Sequence, residues 1–282
     1  MRVIRSSNII SYSSKNHAIK SLNTFLAHLY SKKIIHRLTK CESFGSHLVN
    51  KRTIDDVVHP DEMELIYKSL MERGHKKEAI FFRYLFFSGM RFSEGLAISM
   101  VDLYQGELPS NQLLAKRIKI HNMLYYGYIV SDSQVDEKWN RRPFKGKKEI
   151  SENYARTIPI TDKRLWNDLV DLAEEQHKKW NGSSTDKKSC FLFRGIDDTT
   201  SSRRLEEAFT SCELPYRSWH CLRHSRATWL IGETGDEVLT RAWLGHSSSR
   251  TLEKYNHMYQ AIVREAKSKE YIGREFKLKK VD

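Results

Sequence analysis

A mainly α fold with a small antiparallel β-sheet inserted in its middle is what this 282-residue sequence predicts. Apolar residues recur at three- and four-residue spacing through most of the chain, the pattern of helices that bury one face. Between positions 117 and 160 that period gives way to short β-favouring runs separated by polar, lysine-rich sequence. Start and stop signals bracket several of the helical stretches, with proline and acids at one end and glycine at the other. A hydrophobic content of 39% in a chain of this length can fill a sizeable core.

Taken in order, Ser21 to Ile35 places Leu22, Phe25, Leu26 and Leu29 on one helical face and is followed by a basic cluster of Lys32, Lys33, His36, Arg37 and Lys40. From Cys41 to Val58 the periodicity is lost and Gly, Ser, Asn and Thr gather, which marks a linker. The expected organisation is therefore a short helical domain over 1–50, a linker to about 58, and a main domain with its tail over 59–282. The string His59-Pro60-Asp61-Glu62 opens a helix through Met63, Ile66, Tyr67 and Leu70. A second helix, Glu78 to Phe87, is apolar nearly all round and so buried, with Gly89 as its terminator. Strands are expected at Arg117 to Ile120, Tyr125 to Val130 and Arg156 to Ile160. Helical patterns return at Arg164 to Trp180, Arg203 to Phe209, His220 to Ile231, Glu237 to Leu244 and Thr251 to Lys267.

The charge balance narrows the partners. Lysine and arginine outnumber acidic residues 48 to 35, a formal excess of +13, which points to a polyanion and first of all to nucleic acid. Cys41, Cys190, Cys212 and Cys221 form no C-x-x-C pair, and a chain this long needs no disulfide framework, so a reducing, cytoplasmic setting is expected. Ala79 to Phe87, the most apolar run, is broken by Arg83 and is too short to cross a bilayer; no membrane partner is expected. Nor does the N-terminal stretch carry an apolar segment followed by a small-residue cleavage site.

Four segments carry residues suited to chemistry: FSGMRFSEGLAI around Arg91, PFKGKKEI around Lys145, HCLRHSRATWL around His220 and Arg223, and LGHSSSRTLEKYNH around His246 and Tyr255. Their order (Arg, Lys, His-x-x-Arg, His, Tyr) and their neighbouring residues resemble the tyrosine recombinase, or phage integrase, family over more than half of the chain. The resemblance implies a site-specific DNA recombinase whose catalytic domain follows a helical core-binding domain. Here about fifty residues precede the linker, roughly half the length usual in the family; both a natural miniature and an incomplete chain fit that.

The resemblance makes Tyr255 the nucleophile that becomes joined to a DNA 3′-phosphate, leaving a free 5′-hydroxyl. Read from its neighbours alone, Tyr255 shares a helical face with Leu252, Tyr259, Ile262 and Ala266 and would be a core tyrosine. Elementary chemistry agrees with the assigned roles. Negative charge builds on a pentacoordinate phosphorus during strand transfer, and arginine forks such as Arg91 and Arg223 meet its oxygens bidentately. A phenol with a pKa near 10 needs a base or a cationic surround to attack at neutral pH; the resemblance gives that task to His220 and assigns His246 to a hydrogen bond on the phosphate or to orienting the site. A lysine on a β-hairpin protonates the leaving 5′-oxygen in the family, and Lys145, at the end of an expected strand and before Gly146, is the candidate, with Lys147 and Lys148 as alternatives.

His220, His224, Cys221 and Cys212 also have a metal reading, since histidines four apart on a helix can share an ion. Arg223 on the same face repels a cation, and the tyrosine mechanism needs none, so neither metal nor cofactor is expected. His224 is left as a structural or phosphate-adjacent residue. Implied partners are double-stranded DNA, a homotetramer on synapsed sites and accessory DNA-bending or directionality factors, acting at the nucleoid. The basic tail from Ala266 to Lys280 is either an extended basic end or a helix that links protomers. A type IB topoisomerase or telomere resolvase would share the same residues, and a non-catalytic DNA-binding accessory protein would share the fold.

Overall fold

The computed structural model describes residues 11–45, 54–110, 112–180, 186–245 and 250–268. The chain divides into two compact units, Met1–Thr53 and Ile54–Asp282. In the first, helix α1 (Tyr12–Ser31) starts nine residues earlier than its apolar face suggests, because Ser11 caps it by accepting from the Ser14 amide at 3.2 Å. Two asparagines then pin the following segment back along the helix. Asn16 exchanges hydrogen bonds with the backbone of Phe44 at 2.7 and 3.1 Å, and Asn23 does the same with Cys41. Cys41 to Phe44, expected as linker, is therefore tied to α1; positions 46–53 of that linker lie outside the described residues.

The second unit is built around one buried helix. A short 3-10 turn, Ile54–Asp56, leads to α2 (Pro60–Glu72), whose start is a capping box: His59 Nδ1 accepts from the Asp61 amide and Glu62 accepts from the His59 amide at 2.8 Å. α3 (Lys76–Ser88) is buried over almost its whole circumference, as its apolar sequence requires. Phe81, Phe82 and Tyr84 on it pack against Phe193, Phe209 and Trp219 from later helices and turns. Gly89 ends α3 in the left-handed conformation, φ +66, and a side chain there would collide with Leu244. The chain can then turn at once into the short helix α4 (Phe92–Leu96).

The sheet has three antiparallel strands in the order β1 (Leu103–Tyr104), β2 (Gly127–Ser131) and β5 (Arg156–Ile160), with Ser131 opposite Arg156 and Gly127 opposite Ile160. Between β2 and β5 the chain makes an excursion with its own small hairpin, β3 (Gln134–Val135) and β4 (Arg141–Arg142). Arg141 anchors it by donating to Asp132 at 2.8 Å and to the Ala97 carbonyl at 3.1 Å. One strand expectation fails: Arg117 to Ile120 is the second half of helix α5 (Leu113–Ile120). Four residues of alternating Arg-Ile-Lys-Ile satisfy a strand period. Over eight residues, however, Leu114 and Ile118 are the buried pair, a four-residue spacing that suits packing against α9.

The remaining helices are α6 (Lys163–Trp180), α7 (Asp198–Ser211), α8 (Trp219–Thr234), α9 (Glu237–Leu244) and α10 (Arg250–Ser268). α8 lies against α3 on one side and α10 on the other. The mainly helical architecture with a small antiparallel sheet is as expected. The tail beyond 268 lies outside the described residues, and no described helix is long and apolar enough to cross a membrane.

Candidate active site

Arg91 stands where α3 has stopped and α4 begins, in extended backbone. Its guanidinium, about two-fifths exposed, meets Glu94 one turn on at 2.5 Å, and its amide donates to the other oxygen of the same carboxylate at 3.1 Å. Glu94 is fully buried and also accepts from Arg156, the first residue of β5, at 2.5 Å. The second nitrogen of the Arg156 fork donates to the Leu244 carbonyl at 2.7 Å. Arg223, on the first turns of α8, is buried and donates to the carbonyls of Gly89 at 2.7 Å and Leu244 at 2.6 Å. Those two acceptors exist because α3 and α9 both end in left-handed glycines, Gly89 and Gly245, which leave terminal carbonyls unpaired within the helix.

Three arginines thus surround one carboxylate. Burial alone would raise the pKa of Glu94, but the neighbouring Arg156, Arg91 and Arg223 hold it down at about 2. The opposite happens to Arg223, where burial and the like charges of Arg156 and Arg91 push the pKa down to about 9, against a smaller pull from Glu94. The cluster carries more positive than negative charge in a mostly buried setting, and an anion there relieves the repulsion.

Next along α8 the histidines begin a second group. His220 is exposed, and its ring centroid lies 4.7 Å from that of His224, nearly perpendicular to it. His224 is buried, and its Nδ1 lies 2.6 Å from the hydroxyl of Tyr255 on α10, with the two rings stacked at 27°. Tyr255 is itself only 5% exposed. Arg223 directly precedes His224 on α8, so the histidine–tyrosine group and the arginine cluster are neighbours.

Of the six residues singled out in the sequence, the structure brings Arg91 and Arg223 together around Glu94, and Tyr255 together with the α8 histidines. Lys145 does not end a strand: β4 stops at Arg142, and Lys145 sits three residues on, exposed, in a turn closed by the Lys147 amide donating to the Phe144 carbonyl at 2.9 Å. Phe144 lies under the Arg156 guanidinium, 5.0 Å from its ring centre, which puts this turn beside the arginine cluster. Lys147 instead rests over the ring of Tyr154 at 4.1 Å. His246, which follows Gly245, lies outside the described residues. Among the described residues there is no group of three or more His, Cys, Asp or Glu placed to hold a metal ion.

Sequence reasoning missed two members of the site, Glu94 and Arg156. Glu94 was visible inside the Arg91 string, one helical turn on, as a capping partner. Arg156 carried no such mark, because the residues it joins lie 62 and 88 positions away.

The family model described as the phage integrase family matches residues 56–261. A curated protein named tyrosine recombinase XerC-like, from Caldanaerobacter subterraneus subsp. tengcongensis, is 26% identical over a match of 260 residues that covers 85% of this chain and 62% of that protein. The chain thus spans less than two thirds of the length of that relative. Among solved structures, the XerH site-specific recombinase bound to palindromic difH substrate in a post-cleavage complex superposes with a TM-score of 0.59 at 16% identity, over 92% of this chain and 67% of that one. The Tn1549 transposon integrase in complex with a circular intermediate DNA gives 0.58 at 15% identity, over 91% and 80%. At such identities the likeness is one of fold. The family match is of another kind, because it runs from the turn before α2 into α10 and takes in the arginine cluster, the α8 histidines and Tyr255 alike: this chain belongs to the phage integrase family.

Proposed function

We propose that the protein is a site-specific DNA recombinase that cuts and rejoins strands of double-stranded DNA through a 3′-phosphotyrosyl bond at Tyr255. The observation that carries this reading is the surplus of buried positive charge around Glu94, set beside a tyrosine whose hydroxyl is already engaged by a histidine. Attack on a phosphodiester spreads negative charge over the nonbridging oxygens, and preorganised guanidinium forks stabilise that charge without reorganising. Arg91 and Arg223 are assigned to those oxygens, His220 to taking the proton of the Tyr255 hydroxyl, and His246 to a hydrogen bond on the phosphate or to orienting the site. Lys145 is assigned to protonating the leaving 5′-oxygen; the adjacency of its turn to Arg156 supports that choice over Lys147, which rests on Tyr154. The partner assembly is a homotetramer on two synapsed DNA sites, aided by accessory DNA-bending or directionality factors, at the nucleoid. The XerH and Tn1549 proteins, whose folds are similar, have been captured on DNA, which supports DNA as the partner here.

The test is incubation of the protein with a labelled, nicked duplex drawn from the DNA that flanks its own gene, followed by denaturing electrophoresis. The wild type should give a protein-linked strand and Tyr255→Phe none; an adduct retained by Tyr255→Phe refutes the nucleophile. Two labelled sites in one reaction should give joint products, whereas relaxation without them would place the protein with the type IB topoisomerases. Binding should weaken steeply with salt, since phosphate contacts release counterions. An affinity unchanged between low and physiological salt would contradict that.

A further inference from the structure

We propose that Arg156 positions the general acid: through the ring of Phe144 it fixes the turn that carries Lys145 against the arginine cluster. This rests on the strand-transfer reading above, with Lys145 as its acid, and gives a role to an arginine that the reading leaves without one.

Lys145 needs such a support. It is exposed, three residues beyond the end of β4, in the turn that the Lys147 amide closes on the Phe144 carbonyl. A general acid works only within hydrogen-bond reach of the oxygen it protonates, and a displacement of about 1 Å costs about a hundredfold in rate. Two contacts hold the residues just before the lysine, and both lead back to the Arg91 string. Phe144 is buried, with the Arg156 guanidinium over its ring at 5.0 Å. The carbonyl of Pro143 accepts from Gln134 Nε2 at 2.8 Å, and Gln134 Oε1 in turn accepts from Ser93 Oγ at 3.3 Å. Ser93 is the α4 neighbour of Glu94, the carboxylate that Arg156 grips.

Arg156 is itself held at both ends of its fork. One terminal nitrogen donates to Glu94 at 2.5 Å and the other to the Leu244 carbonyl at 2.7 Å. A side chain on Gly245 would meet the Arg156 Cδ at 2.5 Å, so the glycine there lets the arginine lie close against the end of α9. With its fork fixed, the guanidinium presents one face to Phe144, and a cation held over an aromatic face is attracted by the ring's quadrupole. The Leu244 carbonyl also accepts from Arg223. One side chain thus spans the arginines assigned to the phosphate and the turn of the lysine assigned to the leaving oxygen.

In cleavage the bond between the Tyr255 oxygen and phosphorus forms, the bond from phosphorus to the 5′-oxygen breaks, and Lys145 gives that oxygen a proton. Arg156 moves no proton; it acts on this step through Phe144.

The experiment compares single-turnover cleavage of two nicked duplexes, one with oxygen and one with sulfur at the 5′-bridging position of the scissile phosphate, at saturating protein. Sulfur leaves without needing a proton, so the second duplex makes the acid dispensable. The readout is the ratio of the sulfur rate to the oxygen rate, in which any loss common to both duplexes cancels. Lys145→Ala should raise that ratio about a hundredfold or more. Arg156→Met should raise it about tenfold or more, and should add nothing further in the Lys145→Ala background. Phe144→Leu, which leaves the hydrogen bonds of Arg156 in place, should move the ratio in the same direction and decides the matter if Arg156→Met does not fold. An arginine that served only the cluster around Glu94 would slow both duplexes alike. An unchanged ratio in Phe144→Leu, or in folded Arg156→Met, therefore overturns the inference and leaves the strand-transfer reading intact. An unchanged ratio in Lys145→Ala overturns the choice of acid and the inference with it, whereas an adduct from Tyr255→Phe overturns strand transfer at Tyr255 itself.

Discussion

Two clusters of arginine in the second unit have opposite charge counts. At Arg83, one buried cation faces two carboxylates: Asp162 accepts from two of its nitrogens at 2.8 Å and Glu64 from a third at 2.6 Å. At Glu94, one buried carboxylate faces three cations, Arg91, Arg156 and Arg223. The consequences for the guanidinium groups are opposite. Burial lowers the pKa of Arg83, but Asp162 and Glu64 more than offset it and raise the pKa above its ordinary value. Burial and like charge together push Arg223 down to about 9. The first cluster is closed on itself and ties α2, α3 and the start of α6 together. The second is left short of negative charge, which is what the proposed reaction at a phosphodiester requires of it.

The comparison breaks most readily at Arg223. Lysine there keeps the charge but loses the fork that spans the Gly89 and Leu244 carbonyls. Arg223→Lys should slow formation of the covalent adduct by about a hundredfold, with the fold retained by circular dichroism; a rate near wild type would mean that charge alone suffices. The reciprocal change is Arg83→Met. Removing one partner of a buried ion pair costs about 3 kcal/mol of stability, which chemical denaturation measures, while the cleavage rate per folded molecule should not move. A specific loss of cleavage would show that Arg83 is not purely structural.

The smallest effect sharpens the comparison through pH. Glu94 has its folded pKa held at about 2, below the ordinary 4.5, so its ionised form stabilises the fold fully above pH 4.5 and that contribution is lost as pH falls toward 2. Wild type should therefore melt above Glu94→Gln near neutrality, with the gap closing between those two pH values. A constant gap would mean that Glu94 acts through its hydrogen bonds and not through its charge.

The two clusters also differ in how far each was legible before folding. Arg91 and Arg223 announce themselves by their flanking strings, and Gly89 by its place at the end of an apolar run. His220 and Tyr255 are equally visible. His224 was read as structural or phosphate-adjacent, because a helical repeat places it four residues from His220 but says nothing of which histidine faces α10. Arg117 to Ile120 was misread as a strand for a related reason: in so short a stretch, periods of two and of nearly four are equally satisfied, and contact with α9 decides between them.

What the sequence by itself determined was the set of groups and their order along the chain: a helical protein with a small sheet, rich in cations, carrying Arg, Lys, His-x-x-Arg, His and Tyr in turn. Local rules suffice for that, since helix periodicity, caps and glycine stops act over a few residues. Only the tertiary structure decided that Arg156 closes the arginine cluster through Glu94 and Leu244, and that His224 is the ring against Tyr255. Those contacts join residues far apart in the chain, and their geometry is set by how the ends of α3 and α9, the first strand residue of β5 and the face of α8 pack together. A distance of that kind follows from the packing of the core and from no periodicity that precedes it.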